Sequence, residues 1–183
     1  MKHVVISGGE PTRQPEALAE LCEKLSDLDL GVTIETNGTL FDMRWAEHVD
    51  LFSISPKLQD SIPTIEKMKK VGIEIEFDRG IKQKMLRKNI QVLQSIIDTA
   101  ESFGATFQLK FVITRPENVE EIKRDFLNHL TGWEPSDIYL MPVGANPAEL
   151  LKSSRMTAQI AIENGWNYTP RLQVDLFGNL PGV

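Results

Sequence analysis

The sequence has 183 residues, of which 41% are hydrophobic and 25% are charged, and its formal net charge is -6. This composition predicts one folded domain over residues 1–183 and excludes a disordered chain, and no apolar run is long enough to cross a bilayer. The single cysteine, Cys22, excludes an internal disulfide and any metal site that needs several cysteines of this chain. We expect a cytoplasmic protein that binds neither membranes nor nucleic acid, since acidic chains rarely bind nucleic acid.

Strand-like and helix-like segments alternate along the chain. In chain order, the sequence predicts a buried strand at 3–7, a helix at 15–28, strands at 31–35, 51–55 and 73–77, a helix at 86–103, a strand at 107–113, a helix at 119–130, a strand at 138–141, a helix at 147–163 and a strand at 171–176. Strands that alternate with helices pair in parallel through crossover helices, so the predicted fold class is α/β.

Each of three predicted strands has one apolar face and one polar face. The polar positions are Thr33, Glu35, Ser53, Ser55, Gln108 and Lys110. A parallel sheet that helices cover on both sides is apolar on both faces. A polar face indicates either a barrel or half-barrel that encloses a polar ligand, or an open sheet with one face in solvent.

Short polar motifs follow several of the predicted strands. After the first strand comes Ser7-Gly8-Gly9-Glu10-Pro11, where the adjacent glycines allow a ligand close to the backbone and the carboxylate can accept from an ammonium group. The same motif is compatible with a simple turn that places Glu10 near a helix N-terminus. The later motifs, in chain order, are Ile34-Glu35-Thr36-Asn37-Gly38-Thr39, Ser53-Ile54-Ser55-Pro56-Lys57-Leu58, Gln108-Leu109-Lys110-Phe111-Val112-Ile113, Leu140-Met141-Pro142-Val143-Gly144 and Arg171-Leu172-Gln173-Val174.

This ordered set resembles the radical S-adenosylmethionine (SAM) superfamily and, within it, the 7-carboxy-7-deazaguanine synthases, over residues 4–183. Gly-Gly-Glu-Pro is common to the superfamily, whereas Glu-Thr-Asn-Gly-Thr, Ser-Pro-Lys and Arg-Leu-Gln are more specific to the synthases. The resemblance implies a partial (β/α) barrel of the radical SAM type. It also implies a carbon–nitrogen lyase that converts 6-carboxy-5,6,7,8-tetrahydropterin to 7-carboxy-7-deazaguanine in queuosine and 7-deazapurine biosynthesis.

The resemblance further implies cofactors, partners and site residues. The cofactors are SAM, a [4Fe-4S] cluster and Mg2+, and the partners are a pterin substrate, a flavodoxin- or ferredoxin-type reductant and a second copy of the chain. The implied SAM contacts are Gly8, Gly9, Glu10, Ser55 and Lys57. The implied substrate contacts are Glu35, Asn37, Thr39, Gln108, Lys110, Arg171, Gln173 and Val183.

Some of these residues also have ordinary structural interpretations. The turn chemistry of Asn-Gly explains Asn37 as well as a substrate contact does. A closing strand and a frayed end explain the C-terminal residues equally well. The resemblance identifies no catalytic residue, and no residue of this sequence is predicted to bind a metal.

One departure from the superfamily concerns the cluster. The superfamily holds its cluster with three cysteines on a loop before Gly-Gly-Glu, and only seven residues precede Gly8 here. Cys22 lies on the apolar face of a predicted helix, and one thiolate cannot hold a cluster that needs several. We therefore expect this sequence to lack the first strand, cluster loop and first helix of the barrel, and to be inactive alone. Two alternatives are an activating enzyme that acts on a protein glycine and a non-catalytic barrel that binds SAM or a purine.

Overall fold

Short parallel strands alternate with helices in the computed structural model, which describes residues 2–62, 88–178 and 180. The chain divides into two units, Met1–Phe107 and Gln108–Val183. The predicted strand at 73–77 and the first residues of the predicted helix at 86–103 lie outside the described residues, as do Gly182 and Val183. None of the described helices combines the length and apolar character needed to cross a lipid bilayer.

The first unit contains three parallel strands that neighbour each other in chain order. The elements of this unit are β1 (His3–Ile6), α1 (Pro15–Asp27), β2 (Gly31–Thr36), α2 (Met43–Ala46), β3 (Leu51–Ile54) and α3 (Ile90–Phe103), with 3-10 turns at Pro11–Arg13 and Gln59–Ser61. Strand β2 pairs with β1 on one side and with β3 on the other. Because the strands are parallel, all their carboxyl ends lie at the same edge.

The second unit repeats the alternation. The elements are β4 (Thr106–Ile113), which starts at the end of the first unit, then α4 (Asn118–Asp125), β5 (Ile138–Pro142), α5 (Pro147–Asn164), β6 (Asn167–Tyr168) and α6 (Leu172–Phe177). Strand β5 pairs in parallel with β4 and with β6. The parallel pairing confirms the predicted α/β class.

The predicted polar and apolar faces are present in both units. The strand residues of the apolar face are fully buried, and they are Val32, Ile34, Phe52 and Ile54 in the first unit and Leu109, Phe111, Ile113, Ile138 and Leu140 in the second. On the opposite face, Thr33 and Ser53 are buried, whereas Glu35 is exposed. The period-two alternation therefore located both the core and the polar face.

Helix boundaries follow recognisable end signals. The side chain of Asn146 accepts from the backbone N–H of Glu149 at the start of α5, where Pro147 is the first helical residue. Gly165, with φ +67°, ends the same helix. The predicted helix at 119–130 ends earlier than expected, because Phe126 leaves helical geometry and a 3-10 turn, Leu127–His129, follows.

Two predictions were wrong. The strand at 3–7 is not buried, because Val5 is 57% exposed. The segment at 171–176 is a helix, α6, and not a strand, because the alternation of three apolar residues is too short to distinguish the two periods. The sequence also gave no signal for the short elements α2 and β6.

Candidate active site

The carboxyl ends of β1, β2 and β3 carry three loops with predicted contacts, for SAM on the loops after β1 and β3 and for the substrate on the loop after β2. Residues 7–10 follow β1, residues 37–39 follow β2 and residues 55–58 follow β3. Ligands of open parallel sheets bind outside the carboxyl ends of the strands. The fold therefore brings all the predicted SAM contacts to one edge of the first unit.

The backbone of Gly8 and Gly9 faces open space. Gly8 has a φ of +142°, a backbone conformation that residues with a side chain rarely adopt. A Cβ atom built on either glycine meets no heavy atom within 4 Å. The backbone groups of both residues are therefore accessible to a bound molecule.

The carboxylate of Glu10 holds the first loop to the second. Its Oε1 accepts from the backbone N–H of Thr12 at 3.3 Å, from the Thr12 hydroxyl at 2.7 Å and from the Thr36 hydroxyl at 2.7 Å. Its Oε2 accepts from the backbone N–H of Asn37 at 2.8 Å. Among the described residues, Oε1 thus has three donors and Oε2 has one, so any ammonium group of a ligand would approach Oε2.

The side chain of Asn37 stabilises the turn after β2. Its Oδ1 accepts from the backbone N–H of Thr39 at 3.0 Å, the hydrogen bond of an Asx turn. Gly38, with φ +71°, occupies the left-handed position, where an added Cβ would lie 2.5 Å from Leu93 and 2.8 Å from Ile54. Turn formation accounts for the Oδ1 atom of Asn37, and a substrate contact by Asn37 or Thr39 stays a prediction.

Ser55 and Lys57 form a polar pair on the third loop. The Nζ atom of Lys57 donates to the Ser55 hydroxyl at 3.2 Å, and the lysine side chain is exposed. The backbone N–H of Ser55 donates to the carbonyl of Thr36 at 2.7 Å, so this loop is also joined to the end of β2. A cation beside a hydroxyl suits a carboxylate or a ribose.

Glu35 lies on the polar face of β2, in register with Ser53 of β3. Its side chain is exposed, whereas those of Thr33 and Ser53 on the same face are buried. An exposed carboxylate on this face can accept two hydrogen bonds from a guanidine-like edge.

The remaining predicted contacts lie in the second unit. Gln108 and Lys110 occupy the polar face of β4, half-buried. Nη1 of Arg171 donates to the carbonyl of Gly144 at 2.6 Å. Arg171 precedes α6 and Gln173 lies within it, so the two side chains do not share a face as they would on the strand predicted there. Val183 lies outside the described residues.

Cys22 does not fit a cluster site. Its side chain is fully buried in α1, and burial raises the pKa of the thiol to about 11 from an ordinary value of 9.0. A buried thiol with a raised pKa is a poor nucleophile at neutral pH. In the described part of the chain, no three His, Cys, Asp or Glu side chains are grouped so as to hold a metal ion.

A separate cavity of about 250 Å³ lies elsewhere on the first unit. Its lining residues are Phe41, Met43, Ser95, Asp98, Thr99, Ser102 and Phe103. None of the sequence-predicted site residues lines it.

Thr36 belongs to the Glu-Thr-Asn-Gly-Thr motif, but the resemblance implied no role for it. Thr36 has the same parity as Val32 and Ile34, so its side chain is on the apolar face of β2, and it is only 4% exposed. A buried hydroxyl requires a hydrogen-bond partner. A polar residue at a core-facing position beside Asn-Gly was therefore the sequence feature that could have indicated a structural role for Thr36.

The curated proteins that the sequence matches over almost its whole length share one name. The chain is 36% identical over 183 residues to the 7-carboxy-7-deazaguanine synthase of Halobacterium salinarum, covering 98% of this chain and 66% of the relative. It is 30% identical to that of Rhodopirellula baltica, covering 100% and 64%, and 29% identical to that of Pyrobaculum aerophilum, covering 98% and 67%. The chain thus spans about two thirds of the length of these curated relatives. No family model matches the sequence.

Solved structures show the fold. A domain of the pyruvate-formate lyase-activating enzyme from Bacteroides vulgatus is similar with a TM-score of 0.50 and 14% identity, over 93% of this chain and 99% of that one. Streptococcus suis SuiB bound to S-adenosylmethionine is similar with a TM-score of 0.54 and 17% identity, over 92% and 38%. The chain is therefore a homologue of the 7-carboxy-7-deazaguanine synthases and has the α/β fold of radical SAM enzymes.

Proposed function

We propose that this chain provides the SAM- and pterin-binding part of a 7-carboxy-7-deazaguanine synthase, a radical SAM lyase that converts 6-carboxy-5,6,7,8-tetrahydropterin to 7-carboxy-7-deazaguanine. The observation that carries the proposal is the joining of three motif loops at one edge of the first unit through Glu10 and Thr36. Relatives with this name match almost the whole chain. We further propose that both units belong to one domain.

The first loop and the third loop fit the methionyl end of SAM. The accessible backbone of Gly8 and Gly9 and the Oε2 atom of Glu10 suit an amino group. The Lys57 ammonium and the Ser55 hydroxyl suit the carboxylate or the ribose. When bound and reductively cleaved, SAM supplies the 5′-deoxyadenosyl radical, and these residues orient it.

The first proposed contact with the pterin is made by Glu35. Its exposed carboxylate lies on the polar face of β2, in register with the buried hydroxyl of Ser53, and it can accept from the guanidine-like edge of a pterin. We assign substrate contacts also to Asn37 and Thr39 in the first unit. In the second unit we assign them to Gln108, Lys110, Arg171, Gln173 and Val183, where a lysine or arginine matches the carboxylate of the substrate.

The cluster does not fit the residues of this chain, because Cys22 is its single cysteine and is buried. About a third of the length of each of these curated relatives lies outside the matched region. We propose that cysteines in this additional length hold the [4Fe-4S] cluster and that Mg2+ binds there as well. A flavodoxin- or ferredoxin-type reductant, a homodimer and a cytoplasmic location complete the proposal.

The test uses the longest open reading frame that contains this sequence, reconstituted anaerobically with iron and sulfide. With SAM and dithionite, we expect 7-carboxy-7-deazaguanine to form from 6-carboxy-5,6,7,8-tetrahydropterin, and Glu35→Gln to raise the KM for the pterin. Cleavage of SAM without conversion of the pterin would support an activating enzyme instead. Binding of SAM by a protein that takes up no iron would support a non-catalytic barrel, the alternative that the single buried cysteine favours.

A further inference from the structure

One buried threonine connects all three loops of the candidate site. The hydroxyl of Thr36 donates to Oε1 of Glu10 at 2.7 Å and accepts from the backbone N–H of Gly38 at 3.2 Å. The carbonyl of the same residue accepts from the backbone N–H of Ser55 at 2.7 Å. Thr36 therefore contacts the loop after β1, the turn after β2 and the loop after β3.

The direction of these hydrogen bonds is fixed by chemistry. A hydroxyl has one proton, and an ionised carboxylate can only accept, so the proton of Thr36 points to Glu10 and a lone pair points to Gly38. The side chain is buried on the apolar face of β2, where a hydroxyl with no partner would be costly. Its orientation is thus determined by the loops that it joins.

We propose that Thr36 is a positioning residue for SAM. It does not contact the cofactor itself. Through Glu10 it holds the loop that carries Gly8 and Gly9, and through its carbonyl it holds the loop that carries Ser55, so the two ends of the SAM site keep a fixed separation. The inference rests on the proposed function, because the SAM contacts are those proposed above.

Two substitutions at Thr36 distinguish the effect of losing the hydroxyl from the effect of changing the side-chain volume. Thr36→Val keeps the shape but removes a donor from Glu10 and an acceptor from Gly38, whereas Thr36→Ser keeps the hydroxyl. Thr99→Val is a matched control, because Thr99 is 3% exposed and donates only within α3, to the carbonyl of Ser95 at 2.7 Å. Should T36V not fold, Thr36→Ala removes the hydroxyl without setting a methyl group against the carboxylate.

The first measurement is hydrogen exchange of the whole 183-residue chain without ligand, followed by mass spectrometry. We expect T36V to speed exchange in peptides that cover residues 8–12 and 37–39, and T36S and T99V to leave those peptides unchanged. The second measurement is the SAM dissociation constant from equilibrium dialysis with radiolabelled SAM. We expect it to rise about tenfold in T36V, the equivalent of one lost hydrogen bond to a charged group, and less than about twofold in T36S and T99V.

Faster exchange in T36V confined to residues 37–39 would overturn the inference, because Thr36 would then stabilise only its own turn. Unchanged SAM affinity in T36V would also overturn it, even with faster exchange in both loops. Failure of the unsubstituted chain to bind SAM counts against the proposed function, while the exchange data still decide whether Thr36 couples the loops.

Discussion

The backbone N–H of Asn37 donates to Oε2 of Glu10 over 2.8 Å, so the turn after β2 rests on the loop after β1. Glu10→Gln replaces one acceptor oxygen by an NH2 group, which faces a donor whichever way the amide is turned. We expect the free energy of unfolding in urea to fall by about 1–3 kcal/mol. Glu16→Gln is the control, because Glu16 contacts Arg44 only at the surface, and we expect a change below about 0.5 kcal/mol. Equal effects of the two substitutions would contradict the role given to Glu10.

Gly38 and Gly104 have the same backbone conformation in different surroundings. Both have a φ of +71°, but an added Cβ would lie 2.5 Å from Leu93 at Gly38 and would meet nothing within 4 Å at Gly104. We expect Gly104→Ala to cost about 1–2 kcal/mol for the left-handed conformation. Gly38→Ala should cost about 1–3 kcal/mol more, because the added methyl group would overpack the core beside Leu93. Urea unfolding of the two variants measures the difference, and equal losses would show that packing does not matter at this turn.

The thiol of Cys22 has a pKa raised to about 11 by burial, from an ordinary value of 9.0. As the pH rises above 9, the thiol of the unfolded chain ionises before that of the folded chain, so folding loses stability between about pH 9 and 11. We expect the urea midpoint to fall more steeply over this range in the unsubstituted chain than in Cys22→Ala. We also expect no reaction with an aromatic disulfide reagent at pH 8 until urea is added. Rapid reaction of the folded chain would contradict the buried position.

The faces of the strands could be predicted from the sequence, because side chains alternate strictly along a strand. Val32 and Ile34 were correctly separated from Thr33 and Glu35 by this rule alone. The same rule failed at residues 171–176, because an alternation over six residues is also compatible with a short helix. Gly178, which follows α6, was the available sign of a helix end.

The candidate site could be predicted only in part. The motifs identified the three loops, since each follows a strand of a parallel sheet. The internal contacts of Glu10 could not be foreseen, because a carboxylate beside two glycines suits a ligand as well as it suits a neighbouring loop. The pairing of β1 with β2 places Thr36 and Asn37 beside Glu10 and so decides which interaction forms. That placement is a property of the fold.

The 183-residue chain should not cleave SAM. It contains one cysteine, which is buried, and a [4Fe-4S] cluster needs several thiolates. After incubation with iron, sulfide, dithionite and SAM, we expect no 5′-deoxyadenosine by liquid chromatography. The Halobacterium salinarum relative, treated identically, is the positive control. Repeated turnover by the 183-residue chain would show that the cluster has other ligands.

The charge of Lys57 should matter for SAM and not for folding. Its side chain is exposed and donates to the Ser55 hydroxyl at 3.2 Å, so Lys57→Ala should change the free energy of unfolding by less than about 0.5 kcal/mol. Loss of a charge-assisted contact to the SAM carboxylate should raise the dissociation constant about tenfold in equilibrium dialysis. Lys24→Ala is the matched control, because Lys24 is an exposed lysine of the same unit that pairs with Glu20 on α1. If both variants bind SAM equally well, Lys57 does not contact it.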